Sequence, residues 1–251
     1  MLIFYTTNYL KNMKPLVRWV IGPVRTQGFN CLKEAVESFS NLYTNVDLMI
    51  CHNQLKKYQV KELEKIGVPL YKQTHDDCVR FTPHGVAWKL YPARLRHDAH
   101  EIIIDNDILI KEKIPQIDEF FSSNSTLVYE AAKPMYGQLS KFVPRNPCIN
   151  SGIYGMPPGF DFDRKINFHT KQIKKWDNNC NQGRYTWDEQ GMVAACMLNH
   201  PNHLLITLDQ VTNSELDLDD SKLGIHFVGL NRYKKHRPWR EWRVKHWKSF
   251  L

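Results

Sequence analysis

The sequence predicts a single α/β domain in which a mostly parallel sheet is flanked by helices. Short apolar runs rich in β-branched residues alternate along the chain with helical patterns, and this alternation favours parallel strand pairing. A length of 251 residues is enough for one sizeable core, and no internal repeat or low-complexity linker divides the chain. The hydrophobic content of 42%, with 24% charged residues, is typical of a soluble globular protein.

The predicted elements alternate from the first strand onward. Residues 16–21 form an apolar run that ends at Gly22-Pro23, and helical spacing follows over residues 31–39. The same reasoning predicts strands at 46–51, near Leu70, and at 102–104, 126–129 and 203–208, helices at 54–66, 88–96 and 188–198, and an ordered segment at 148–156. Residues 133–147 are rich in Pro and Gly and are predicted to form a mobile loop.

Two aspartates follow a run of isoleucines, in the order Ile102, Ile103, Ile104, Asp105, Asn106, Asp107. The unbroken apolar run is typical of a strand covered on both faces, so Asp105 and Asp107 emerge where open α/β sheets hold their ligands. Side chains two apart on an extended backbone point the same way, and converging carboxylates favour Mg²⁺ or Mn²⁺. The alternative is an ordinary turn at the end of a strand. Two other Asp-x-Asp pairs, Asp161/Asp163 and Asp217/Asp219, lie in loop-like sequence.

The net charge of +8 is concentrated at the C-terminus. Between Arg232 and Lys248 there are eight Lys and Arg residues against the single acid Glu241, a balance of +7. We therefore divide the chain into a main domain, residues 1–231, and a basic aromatic tail, residues 232–251, which also carries Trp239, Trp242 and Trp247. This composition suits peripheral contact with an anionic membrane, helix packing with solvated charges, or a nucleic-acid or polyphosphate ligand.

Cysteine spacing and hydropathy narrow the class of protein. The six cysteines include no C-x-x-C pair, which argues against a zinc ribbon and a disulfide-rich scaffold. No apolar run approaches the roughly 20 residues that cross a bilayer, and residues 1–15 do not have the pattern of a signal peptide. We expect a cytoplasmic protein, with the tail as its one candidate contact with a membrane surface.

Four motifs occur in an order that one family shares. They are Asp105-Asn106-Asp107, Asn150-Ser151-Gly152, Asp188-Glu189-Gln190 and His226-Phe227-Val228-Gly229. In this order the sequence resembles glycosyltransferases with the A-type fold, most nearly the family 8 group of glycogenin-like and bacterial lipopolysaccharide galactosyltransferases. The resemblance covers roughly residues 16–239. It implies a single Rossmann-like fold with a nucleotide-sugar site.

The resemblance also implies roles for individual residues. Asp105, Asp107 and His226 would ligate Mn²⁺ or Mg²⁺, and a histidine ligand favours Mn²⁺. The residues implied to bind the donor are Lys89, Asp105, Asn106, Asp107, Asn150, Gly152, Gly229, Arg232 and Arg237. Arg232 occupies the position of the family's lysine, but Pro238-Trp239 comes later than in the family pattern, so Arg237, Lys234 and Lys235 stay open as alternatives. Without the family context, His226 is better explained as a core histidine beside Phe227. The alternative for Lys89 is a lysine on a helix surface, and the alternative for Asn-Ser-Gly is a turn before a strand.

Asp188 and Glu189 are the implied catalytic acids. The related retaining enzymes have a glutamine where Glu189 falls, and a carboxylate there can act as a nucleophile, a base or an electrostatic support. Asp188 is narrowly favoured to face the sugar, although an acid at a helix start also serves as a cap.

The implied activity is metal-dependent transfer of a hexose, with retention, from a nucleotide diphosphate sugar, UDP-linked, to a glycan or glycolipid. One alternative is a nucleic-acid-binding or nuclease-like protein whose acid pair binds Mg²⁺. The other is a non-catalytic protein that binds a sugar nucleotide.

Overall fold

The computed structural model describes residues 13–22, 26–74, 85–173, 188–213 and 219–227. The described ranges do not include Gly229 or any part of the basic tail, which contains Arg232 and Arg237. The predicted contact of the tail with a membrane therefore stays a prediction. Among the helices of the described ranges, none combines the length and apolar character that crossing a bilayer requires.

The described strands form a large sheet and a small one. In chain order they are β1 (Leu16–Ile21), β2 (Asp47–His52), β3 (Leu70–Lys72), β4 (Glu101–Ile104), β5 (Ile108–Ile110), β6 (Thr126–Glu130), β7 (Ile149–Met156), β8 (His203–Ile206), β9 (Val211–Thr212) and β10 (Gly224–His226). The large sheet has the order β3-β2-β1-β4-β7-β6-β8, and the small sheet has the order β5-β10-β9. In the large sheet β7 runs antiparallel to both of its neighbours, and all other pairs are parallel. The predicted α/β class with a mostly parallel sheet is therefore confirmed.

Helices cover both faces of the large sheet. They are α1 (Thr26–Leu42), α2 (Lys57–Glu64), α3 (Pro115–Phe120), α4 (Phe162–Thr170) and α5 (Asp188–Met197), with 3₁₀ helices at Gly85–Leu90 and Gly137–Phe142. The isoleucines of β4 alternate between the two faces because successive strand residues point to opposite sides. Ile102 and Ile104 pack in the core with Phe39 of α1, whereas Ile103 packs in a second core with Met192 of α5.

A buried ion pair ties the centre of the sheet to the segment that precedes β4. The Arg18 Nε atom lies 2.7 Å from Glu101 Oε1, and both side chains are fully buried. Arg18 also donates to the carbonyl oxygen of Pro92 at 2.8 Å, and Glu101 Oε2 accepts from the backbone N–H groups of Leu95 and Arg96, each at 2.9 Å. Burial alone would lower the pKa of Arg18, but Glu101, Cys51 and Tyr154 together outweigh this effect, so the net pKa is raised. The segment is therefore held by a buried ion pair and by hydrogen bonds to its backbone.

One predicted helix was wrong, and one predicted loop contains a short helix. The helix predicted at 88–96 is instead the 3₁₀ helix Gly85–Leu90, followed by irregular chain, because Pro92 lacks an N–H group and disfavours the helical conformation of Tyr91. The loop predicted to be mobile at 133–147 contains the 3₁₀ helix Gly137–Phe142, whose Leu139 is fully buried.

Candidate functional site

The Asp105-Asn106-Asp107 turn connects the large sheet to the small one. Asp105 follows β4, and its N–H donates to the carbonyl oxygen of Gly152 on β7 at 2.7 Å. The Asn106 amide donates to the carbonyl oxygen of Gly28 in α1 at 3.2 Å, which anchors the turn. The side chains of Asp105 and Asp107 keep 26% and 17% of their surface exposed, so both are largely shielded from solvent but not enclosed.

The small sheet brings His226 to the aspartates from over a hundred residues away. β10 pairs antiparallel with β5 so that His226 lies opposite Ile108, and the Phe227 N–H donates to the carbonyl oxygen of Asp107 at 2.9 Å. The His226 Nε2 atom lies 3.4 Å from Asp107 Oδ1 and 3.8 Å from Asp105 Oδ2. The structure therefore brings the three predicted metal ligands together.

The donor set fits a divalent cation. One ligand atom from each of Asp105, Asp107 and His226 lies within 4.8 Å of the other two. The buried Nδ1 atom of His226 has no hydrogen-bond partner in the described part of the chain, whereas Nε2 faces the two carboxylates. Two carboxylates with one imidazole suit Mn²⁺ better than they suit Mg²⁺, which prefers oxygen ligands alone.

A bulge in β7 shapes the site around His226. Val128 of β6 pairs with Tyr154, but the next residue, Tyr129, pairs with Asn150, so the register shifts at this point. Bulges of this kind redirect side chains beside functional sites. A Cβ atom at Gly152 would lie 2.7 Å from His226 Cε1, so only glycine leaves room for the imidazole.

Asn150 is engaged with its own strand. Its Oδ1 atom accepts from the Gly152 N–H at 2.6 Å, which is the local turn that the sequence left open as an alternative. Its predicted contact with a sugar hydroxyl, like the predicted approach of Gly152 to the donor, stays a prediction. The visible role of both residues is to shape the pocket for His226.

Lys89 links the aspartate turn to α5. It comes from the 3₁₀ helix Gly85–Leu90 and is buried, in contrast to the surface lysine that was the alternative. Its ammonium lies 2.8 Å from Asp105 Oδ1, 3.1 Å from Glu189 Oε1 and 3.1 Å from Ser151 Oγ. Burial alone would lower the pKa of Lys89, but Asp105 and Glu189 outweigh it and raise the pKa. Lys89 is therefore a fixed cation between two carboxylates.

The carboxyl groups around Lys89 are crowded and desolvated. Burial raises the pKa of Asp105, and Asp107 adds to this effect, whereas Lys89 and His226 oppose it. Burial likewise raises the pKa of Glu189, and Lys89 opposes that rise. Because a bound cation offsets the desolvation and mutual repulsion of carboxylates, this site favours additional positive charge.

The two acids at the start of α5 have different surroundings. Asp188 is fully buried, and its two carboxylate oxygens accept from the backbone N–H and the side-chain amide of Gln138, at 2.8 Å and 2.7 Å. Glu189 instead faces Lys89 and the aspartate turn. The geometry thus favours Glu189 over the narrowly preferred Asp188 as the acid nearer the cation site, and a catalytic role for either stays a prediction.

Ser151 belongs to this network, although the sequence gave no reason to single it out. It is the middle residue of Asn150-Ser151-Gly152, a position at which the family pattern specifies no residue type. Its side-chain oxygen accepts from the Lys89 ammonium at 3.1 Å, and Lys89 in turn contacts Glu189. Only the three-dimensional arrangement of β7, the 3₁₀ helix and α5 reveals it.

Solved structures with similar folds are glycosyltransferases, although no protein-family model matches the sequence and no curated protein is similar to it. The glycosyltransferase GlyE of Streptococcus pneumoniae TIGR4 superposes with a TM-score of 0.57 at 10% identity, over 95% of this chain and 62% of GlyE. The galactosyltransferase LgtC, in complex with donor and acceptor sugar analogues, gives a TM-score of 0.61 at 9% identity, over 94% of both chains. The bifunctional glycosyltransferase WbbM gives 0.59 at 11% identity, over 87% of this chain and 46% of WbbM.

These similarities concern the fold, since the identities are near 10%. This chain spans less than two thirds of GlyE and of WbbM but nearly the whole of LgtC. The superpositions agree with the A-type fold that the four-motif resemblance implies. The chain has the A-type glycosyltransferase fold.

Proposed function

We propose that this protein transfers a hexose from a nucleotide diphosphate sugar to a glycan or glycolipid, in a reaction that depends on a divalent cation. The proposed donor is a UDP-sugar. The observation that carries the proposal is the convergence of Asp105, Asp107 and His226 at the end of β4 in a glycosyltransferase fold. Ligands bind at this edge of open α/β sheets. No observation on the described residues favours the nuclease alternative.

The reaction requires positive charge beside the leaving group. Breaking the bond between the anomeric carbon and the phosphate leaves a nucleoside diphosphate, and a bound Mn²⁺ would stabilise the charge that develops on it. Asp105, Asp107 and His226 are the residues that would hold the ion. We favour Mn²⁺ because of the imidazole.

The charges of the described site match a divalent cation. With its carboxyl groups ionised, the site has three negative charges (Asp105, Asp107 and Glu189) and one positive charge (Lys89), so its net charge is −2. A divalent cation would make the site neutral. The diphosphate would then need further cations, and Arg232 and Arg237 are our candidates because charge-assisted hydrogen bonds to phosphate are strong.

Glu189 is our candidate for the acid that meets the sugar. Its carboxylate lies within 3.1 Å of the Lys89 ammonium, which in turn contacts Asp105, so Glu189 is adjacent to the cation site. A carboxylate in this position stabilises the positive charge that develops on the sugar ring in the transition state. The proposed retention of configuration rests on the family resemblance.

A donor screen tests the proposed function. Purified protein is incubated with a panel of UDP-hexoses and Mn²⁺, and released UDP is measured. We expect release from at least one donor and a loss of more than about 100-fold in Asp107→Ala, which removes a predicted metal ligand. Asp219→Ala is the matched control, because Asp219 belongs to another Asp-x-Asp pair and lies in an exposed turn with Ser221. Absence of release with every donor, or equal activity in Asp107→Ala, would contradict the proposal.

A further inference from the structure

We propose that Lys89 is a positioning residue, whose ammonium fixes the Glu189 carboxylate beside the cation site and makes no contact with the donor. The inference deepens the proposed function and rests on it. The family resemblance implies a donor contact for Lys89, whereas the contacts of its ammonium favour a role between protein groups. Lys89 comes from a 3₁₀ helix, Glu189 from α5 and Asp105 from the turn after β4, so the ammonium joins three elements.

The ammonium of Lys89 has as many hydrogen-bonded acceptor groups around it as it has N–H groups. It donates to the two oxygens of the Asp105 carboxylate, at 2.8 Å and 3.1 Å. It also donates to the Ser151 hydroxyl oxygen at 3.1 Å and to the Ser151 carbonyl oxygen at 3.2 Å. An ammonium has three N–H groups, and these three acceptor groups account for all of them. A phosphate or a sugar hydroxyl would therefore have to displace a protein contact to reach Lys89.

Strand β7 holds Lys89 at both ends of the residue. The Tyr154 hydroxyl donates to the Lys89 carbonyl oxygen at 2.9 Å, and Tyr154 is fully buried. At the other end, the ammonium is hydrogen-bonded to Ser151, three residues earlier on the same strand. A lysine ammonium ordinarily sits on a flexible stem, but here both ends of the residue are attached to one buried strand. The position of the positive charge is therefore set by the fold.

This fixed charge determines where the Glu189 carboxylate lies. Glu189 Oε1 is 3.1 Å from the ammonium, and the Glu189 side chain is only 3% exposed, so water screens their attraction little. The ammonium is bonded at the same time to Asp105, a predicted cation ligand. Glu189 is thus held next to the cation site, as its proposed action on the sugar requires.

A double-mutant cycle separates this role from a donor contact. The variants are Lys89→Met, Glu189→Gln and the double variant, assayed for UDP release at saturating Mn²⁺. We expect kcat to fall about tenfold or more in Lys89→Met, because a displaced Glu189 carboxylate no longer meets the sugar, and the donor KM to change little. In the Glu189→Gln background, which has no carboxylate to hold, the same substitution should change kcat less than about threefold.

The affinity for UDP supplies a readout that does not depend on turnover. In calorimetric titrations with Mn²⁺, we expect the same Kd for UDP in Glu189→Gln and in the double variant, because the ammonium does not contact the diphosphate. The double variant removes both partners of the buried pair. It therefore lacks the uncompensated Glu189 charge of Lys89→Met, and this comparison tests the inference even where Lys89→Met fails to fold.

The other outcomes overturn the inference. A loss of kcat by the same factor in both backgrounds would show a purely structural role, and an unchanged kcat in Lys89→Met would show no role in turnover. A rise in the donor KM, or in the Kd for UDP, on removal of the ammonium would assign Lys89 to the donor instead. Failure of the proposed function is distinguishable, because the wild-type protein would then release no UDP from any donor, and the role of Lys89 would fall with it.

Discussion

At the scale of single residues, the position of each side chain in the site is determined by the groups packed around it. Asp105 contacts Lys89 on one side and approaches His226 on the other, so it belongs to both the charged network and the cation site. His226 fits only because residue 152 has no side chain. Each of these contacts joins segments that are separated in the sequence, and a single substitution can test each contact.

Gly152→Ala should weaken cation binding. The new Cβ atom would lie 2.7 Å from His226 Cε1, so the imidazole must move away from the aspartates. We expect the Kd for Mn²⁺, measured by calorimetry, to rise about tenfold or more, as happens when the support of a metal ligand is disturbed. Gly155→Ala is the matched control, because its Cβ atom would meet Phe120 and Leu127 at similar distances, away from His226. Equal effects of the two substitutions on Mn²⁺ binding would contradict this role of Gly152.

At the scale of elements, polar contacts in the interior fix the chain before β4 and so place Lys89. The Arg18–Glu101 pair holds residues 92–96, and the Gln73 amide donates to the carbonyl oxygens of Trp88, at 2.9 Å, and Tyr91. The Tyr154 hydroxyl donates to the carbonyl oxygen of Lys89 at 2.9 Å. The position of the 3₁₀ helix relative to β1, β3 and β7 is therefore fixed by these contacts, although the helix is only six residues long.

Glu101→Gln should destabilise the fold strongly. It removes the charge that compensates the fully buried Arg18, and breaking a buried pair on one side costs about 3 to 5 kcal/mol. Asp47→Asn is the control, because Asp47 pairs with Arg96 at 2.6 Å while 42% of its side chain is exposed, and such pairs contribute about 0 to 1 kcal/mol. Urea unfolding followed by circular dichroism measures both. A Glu101→Gln protein as stable as Asp47→Asn would contradict the structural importance of the buried pair.

His100, which connects β4 to α3, should make stability depend on pH. Its Nε2 atom lies 2.7 Å from the Ser123 carbonyl oxygen, its ring packs edge-on against Phe120, and burial lowers its pKa from the ordinary value of 6.5. The unfolded chain therefore takes up a proton at a higher pH than the folded chain does. The contribution of His100 is fully present above pH 6.5 and is lost as the pH falls through its lowered pKa.

Urea unfolding of the wild type and of His100→Gln, at pH 7.5 and at pH 5, isolates the contribution of His100 to the free energy of unfolding. Glutamine retains a donor for Ser123 and does not titrate. We expect any stability advantage of the wild type over the variant to be smaller at pH 5 than at pH 7.5. A difference that is independent of pH, or that grows on acidification, would be inconsistent with a lowered pKa.

At the scale of the whole molecule, two sheets of different size meet at the acid turn. The large sheet could be predicted because its strands are apolar and alternate with helices, and Ile102–Ile104 identified the buried strand before Asp105. The small sheet could not, since β5, β9 and β10 have two or three residues each and show no periodicity. The family resemblance predicted that Asp105, Asp107 and His226 lie together. The pairing of β10 with β5 is the physical reason why they do.

Other parts of the site have no local signal in the sequence. Ser151 contacts Lys89, which is 62 positions away, and Gln138 contacts Asp188, which is 50 positions away. No spacing rule encodes such contacts. In residues 88–96 a local signal was present but misleading. The apolar spacing predicted a helix, whereas the helical conformation ends before Pro92.

The most direct test is a calorimetric titration of UDP into the protein with Mn²⁺ and, separately, with EDTA. The readout depends neither on which hexose is transferred nor on the acceptor. We expect UDP binding with Mn²⁺, at least about tenfold weaker binding in EDTA, and the same weakening in His226→Ala with Mn²⁺ present. Binding that is equally strong in EDTA, or unchanged in His226→Ala, would contradict a cation site formed by Asp105, Asp107 and His226.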